Sequence, residues 1–137
     1  RLLEREKGYM GDFVWRTISL DWERRSNRML DFENSEAVNI NMTSLQGKIN
    51  TTYDKLVEVF GEPTMTDASP YEKVNAQWML EFKVPFVDKE YGDDFDYVTA
   101  TIYNWKDGYI PTEEYDWHIG GFDNEAVECV EKVLDSA

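Results

Sequence analysis

"KVNAQWMLEFKV", residues 73–84, sets Val74, Ala76, Trp78, Leu80, Phe82 and Val84 against Asn75, Gln77, Glu81 and Lys83. Period-two alternation puts the first group on one side of an extended chain and the second on the other, which predicts a strand with one buried face. "YVTATIYNW", 97–105, repeats the pattern with Val98, Ala100 and Ile102 against Tyr97, Thr99, Thr101, Tyr103 and Trp105. Its β-branched and aromatic residues suit a pleated surface, and the two segments predict adjacent antiparallel strands. Between them, "VDKEYGDDFDY" (87–97) carries Asp88, Glu90, Asp93, Asp94 and Asp96. That stretch is expected to be an acidic connecting loop that turns near Gly92.

Upstream, "NTTYDKLVEVFGEP" (50–63) has start, period and stop signals of a helix. Thr51 with Asp54 forms a capping box, and Tyr53, Leu56, Val57 and Phe60 make an apolar face. Gly61 and Pro63 end it. "EAVNINMTS" (36–44) alternates Val38, Ile40 and Met42 with asparagines and predicts a further strand. Downstream, "KDGYIPTEEYD" (106–116) is an irregular loop bearing Glu113, Glu114 and Asp116, and "WHIGG" (117–121) is a short strand. "FDNEAVECVEKVL" (122–134) predicts a closing helix capped by Asp123. Phe122 and Val127 are placed for a hydrophobic staple, and Val127, Val130, Val133 and Leu134 form its stripe. Residues 12–30 fit a helix and an alternating pattern equally well, so a helical or mixed segment is expected there.

The expected class is α+β: a small antiparallel sheet with two helices packed on one face, plus an N-terminal extension. The chain has 137 residues, enough for one domain with a substantial core, and is 42% hydrophobic. Its net charge is −14. Residues 1–41 hold all the arginines and contribute only −1 of this, leaving −13 on residues 42–137. The break divides an N-terminal extension of unsettled structure (1–41) from an acidic α+β domain (42–137). The chain opens at Arg1, so a preceding targeting segment stays open. Cys129 is the only cysteine, which excludes an internal disulfide, and no apolar run approaches the ~20 residues of a membrane-spanning helix. A reducing setting and no membrane partner are expected.

In this order "TSLQG" (43–47), "YDKLVEVFGEPT" (53–64), "KVNAQWMLEF" (73–82), "ATIYNWK" (100–106) and "WHIGG" (117–121) resemble a family of small, acidic, uncharacterised bacteriophage proteins. There, a helix ending in an FGEP-type turn precedes a hairpin and a WHIGG–helix unit. The likeness covers Met42 to Leu134 and implies the host cytoplasm as the setting. It implies no settled chemistry, and no catalytic residue carries over. A weaker likeness joins the helix, "FG-x-P" turn and strands to the repeats of the β-lactamase inhibitor protein and of a small outer-membrane assembly lipoprotein. That is fold analogy, showing only that such a scaffold can serve as a binding surface.

The acidic segments carry the functional expectation. Asp88, Glu90, Asp93, Asp94, Asp96, Glu113, Glu114 and Asp116 imitate the charge of a nucleic acid, which attracts a basic protein groove. The partner is then a basic host nuclease, polymerase or other nucleic-acid-binding protein, inhibited in the manner of an anti-CRISPR or anti-restriction factor. The same charge repels nucleic acid itself. Solvation alone explains an acidic face equally well, and the spacing of "DKEYGDDFD" departs from a calcium loop, so neither metal nor cofactor is expected. Tyr103 and Trp105 supply aromatic anchors for a partner or for a homo-oligomer in phage assembly, unless residues 1–41 cover them. His118 and Cys129 leave a small hydrolase as a third alternative. No phosphate loop, nucleophile elbow or paired-cysteine motif supports an enzyme, and the expectation is a non-enzymatic binder.

Overall fold

The computed structural model describes residues 30–88 and 92–137. The segment read as helical or mixed at 12–30 falls almost wholly outside them, as does Glu90. Among the described residues eight elements follow in order: β1 (Asp31–Asn34), β2 (Ser44–Thr51), α1 (Tyr53–Phe60), β3 (Met65–Thr66), β4 (Ala76–Asp88), β5 (Gly92–Tyr103), β6 (Tyr115–Gly121) and α2 (Glu125–Ser136). The strands form a six-stranded antiparallel sheet in the order β1-β4-β5-β6-β2, with β3 also pairing with β4. The α+β class expected from the sequence is the one observed.

The chain divides into two compact units. The larger comprises Phe32–Phe82 and Val98–Ala137, and the described part of the smaller is Leu30, Asp31 and the arm of β4 and β5 at residues 83–88 and 92–97.

In the larger unit the alternation places Ala76, Trp78, Leu80 and Phe82 of β4, Ala100 and Ile102 of β5, and Trp117 and Ile119 of β6 in a fully buried core. Trp78 and Trp117 meet edge to face at 5.5 Å. Both helices lie on this side. Tyr53 of α1 packs on Trp78 at 5.8 Å and Phe60 on Phe82 at 6.2 Å, while α2 rests on β6 and β2. Gly121 allows that contact, because a Cβ there would collide with the Ala126 side chain and lie 3.1 Å from the Thr99 carbonyl.

Local chemistry corrects several expectations. The cap of α1 is Thr52 rather than Thr51, its hydroxyl accepting the Lys55 N–H at 3.1 Å, and the buried residues are Leu56, Val59 and Phe60, not Val57. Gly61 ends the helix at φ 92°, a region open to glycine, and its carbonyl accepts the Trp78 indole N–H at 2.9 Å. Residues 36–43 are turns, not a strand. Asn39 and Ser35 side chains capture the N–H groups of Asn41 and Ala37, and Thr43 bonds back to the Ile40 carbonyl. Short polar side chains thus offer the backbone partners that a ladder would otherwise supply. The final helix starts at Glu125 with Asn124 at its cap position, although Asp123 still accepts the Glu125 N–H at 2.9 Å. No staple forms: Phe122 is 58% exposed.

Candidate functional site

In the smaller unit, the acidic stretch expected as a loop is mostly strand. β4 runs to Asp88 and β5 begins at Gly92, so Asp93, Asp94 and Asp96 lie on an extended chain. Ladder pairing overrides the low strand propensity of aspartate. Asp94 and Asp96 share one side, about 6.7 Å apart by the pleat repeat, and Phe95 and Tyr97 share the other. Asp94 is exposed, with its carboxylate accepting the Phe95 N–H at 2.8 Å. Phe95 and Tyr97 are 44% and 63% exposed, and the Lys83 ammonium stands 4.1 Å from the Phe95 ring centre.

In the larger unit, the sheet face opposite the helices carries a row of a different character. Register sets Lys48 of β2 against His118 of β6, and His118 against Tyr103 of β5. The Tyr103 and His118 rings stack at 5.4 Å, and Tyr103 meets Trp105 edge to face at 6.3 Å. The ammonium groups of Lys73 and Lys106 each lie 5.8 Å from the centre of the Trp105 ring. Trp105 is 41% exposed, and all three lysines are exposed.

Two buried asparagines hold this end of the sheet, and the sequence patterning misplaced one of them. Asn75, counted with the outward residues, is fully buried, as is Asn104. The Asn104 carbonyl oxygen accepts the N–H groups of Asn75 and Ala76 at 2.8 and 3.0 Å. Its amide donates to Asn75 Oδ1, Asp107 Oδ2 and the Tyr109 carbonyl. Asp107 also receives the Tyr115 hydroxyl proton at 2.6 Å, and that hydroxyl accepts the Trp105 N–H at 3.1 Å. Burial, then the bond to Asp107, pushes the Tyr115 hydroxyl up to about 12, so it remains a donor. The Lys106 N–H donates to the Lys73 carbonyl at 2.7 Å, which joins the two lysine backbones. Lys106 adopts φ 63°, a left-handed conformation that costs a non-glycine residue about 1–2 kcal/mol. Only the asparagine pair in "EKVNAQW…YNWKDG" hinted at this; the period-two pattern could not separate a buried amide from a solvated one.

His118 is half-buried, and its Nδ1 has no hydrogen-bond partner among the described residues. Burial and then Lys48 depress its pKa, against the pull of Asp107 and Asp116. Cys129 is buried on α2, and burial followed by nearby carboxylates pushes its thiol far up. His118 is on the sheet face away from the helices and Cys129 is among the buried residues of α2, so the structure does not bring them together as a nucleophilic pair. Asp116 is exposed and accepts the Asn50 amide at 2.9 Å, and Glu113 and Glu114 are exposed in the preceding loop. Among the described residues no three His, Cys, Asp or Glu side chains are grouped to hold a metal ion.

The chain matches no protein-family model, no curated protein and no solved structure.

Proposed function

We propose that this protein is a non-enzymatic binding protein that presents an acidic strand arm to a basic groove on a nucleic-acid-handling protein and blocks it. The supporting observation is the placement of Asp94 and Asp96 on one side of an extended strand, in the smaller of the two compact units. A pleated strand fixes the carboxylate interval where a loop would not. Regular charge is what a phosphate-binding groove recognises, since each strand of duplex DNA carries a charge every ~3.4 Å along the axis. Resemblance to bacteriophage proteins favours a host defence enzyme as the target.

The test is capture of a partner from host lysate, followed by affinity measurement over a salt series. Binding through carboxylates weakens as the screening length falls from about 10 Å at 0.1 M to about 3 Å at 1 M. Reversing Asp93, Asp94 and Asp96 to lysine abolishes it, with Glu113 and Glu114 reversed separately to measure the second acidic loop. Salt-independent affinity, or full affinity in the folded arm variant, defeats the proposal.

A further inference from the structure

We infer that the outer edge of β2 pairs antiparallel with the β2 edge of a second copy of this chain, joining two sheets into one across a two-fold axis at Ile49. The inference is independent of the acidic arm. A terminal strand presents a row of backbone N–H and C=O groups that another extended chain can pair, and proteins usually blunt such an edge with a short strand, charge or proline. β1, at one end of the strand order, is blunted: it has four residues and exposes Asp31 and Glu33. β2, at the other end, has eight residues and no proline, and among the described strands it pairs with β6 alone. It also lies in the longest acid-free run of the chain, Ala37 to Tyr53, in a protein with 28 acidic residues. The strand itself therefore adds no repulsion to the approach of a like-charged copy.

An edge strand is complementary to itself, because a two-fold axis sets its own donors against its own acceptors and closes a dimer. An axis perpendicular to the sheet keeps the helices of both copies on one side, so each residue meets one that points the same way. Gly47 and Ile49 point to the helix side, Gly47 toward Val127 of α2 and Ile49 opposite Trp117. Lys48 and Asn50 point to the open side, opposite His118 and Asp116. An axis at Lys48 would set two ammonium groups face to face, which destabilises a pair. One nearer the start of β2 meets the bulge between Leu45 and Gly47, and one at Asn50 pairs only Ile49 to Thr51. At Ile49 the regular stretch from Gly47 to Thr51 pairs throughout: Ile49 meets its own copy, Lys48 meets Asn50, and Gly47 meets Thr51. The half-buried Ile49 side chains then close the seam between the two cores. Lys48 also comes within reach of Asp116 of the second copy, which engages one carboxylate oxygen with Asn50 and keeps its charge. Exposed Glu128 and Glu131 of α2, the helix that rests on β2, and the net charge of −14 on each copy oppose the approach. Salt screens that repulsion, so association tightens as salt is added.

Sedimentation equilibrium of the full chain over a concentration series tests this. A dimer is expected, about tenfold tighter at 1 M salt than at 0.1 M, whereas arm-mediated binding of a basic partner weakens over the same range. Lys48→Glu, which sets a carboxylate near Asp116 of the other copy, weakens the dimer about tenfold. Oxidation in air locates the axis. Directly opposite residues have Cα atoms about 4.5–5.5 Å apart, inside disulfide reach, while Lys48 and its own copy stand roughly 7–8 Å apart on the diagonal. The Ile49→Cys chain is therefore expected to form a covalent dimer and the Lys48→Cys chain is not, with buried Cys129 staying out of the reaction. If Ile49→Cys fails to fold, mixed Lys48→Cys and Asn50→Cys chains, both altered at exposed positions, link to each other while neither links to itself. A monomer at every concentration, a dimer that loosens with salt, or one that cross-links as readily through Lys48→Cys as through Ile49→Cys overturns the inference. So does protection of β2 amides from hydrogen exchange that arises only when an extended peptide of unrelated sequence is added.

Discussion

Asn104 serves the backbone of two strands with one oxygen and the loop beyond β5 with one amide. Asn104→Ala leaves the buried N–H groups of Asn75 and Ala76 without an acceptor. At about 1–3 kcal/mol for an unsatisfied buried group, the loss is expected to be roughly 2–4 kcal/mol, measured as a lower denaturant midpoint at unchanged slope. His118 makes a second residue-scale prediction. Its folded pKa is below the ordinary value of 6.5, so at pH values between the two the unfolded chain binds more protons and stability rises with pH. That contribution is present above 6.5 and is lost as the pH falls below it. His118→Gln is expected to flatten this part of the stability profile relative to the parent, and an unchanged slope would count against the burial of the imidazole. Neither role was legible in the sequence, where Asn104 falls within the predicted strand 97–105 without a role of its own and His118 is the outward residue of a short strand.

At the scale of elements, α1 was the most legible because its signals are local. A hydroxyl cap, an apolar face and a glycine stop each act within a few residues, and the error of one position between Thr51 and Thr52 is of the size that caps allow. Thr52→Ala is expected to cost about 1 kcal/mol in thermal or denaturant unfolding. Gly121 acts between elements. Gly121→Ala drives a methyl into Ala126 at the start of α2 and is expected to destabilise by about 1–3 kcal/mol, with α2 displaced from β6 in the variant's structure. The double glycine was visible in "WHIGG", but its reason was not, because the close approach of α2 involves a residue that no local pattern connects with it. The acidic stretch shows the converse error. Five carboxylates in nine residues suggested a loop, and the pairing of β4 with β5 made most of them strand.

For the whole molecule, the composition break and the net charge of −14 could be counted directly, and the alternation in 73–84 and 97–105 was enough to decide an α+β sheet with one buried face. These features are determined by sequence because they depend on residue type and on periods of a few residues, which burial enforces wherever the segments lie. Strand order, the network around Asn104, and the gathering of Lys48, Lys73 and Lys106 beside Tyr103, Trp105 and His118 were decided only by tertiary structure. Those residues are distant in the chain and meet through register, and register is set by the packing of both helices and every neighbouring strand at once. The sequence therefore determined that the protein is acidic and of the α+β class. Folding decided where Lys48, Lys73 and Lys106 stand, because hydrogen bonds across strands, not proximity in the chain, brought them together.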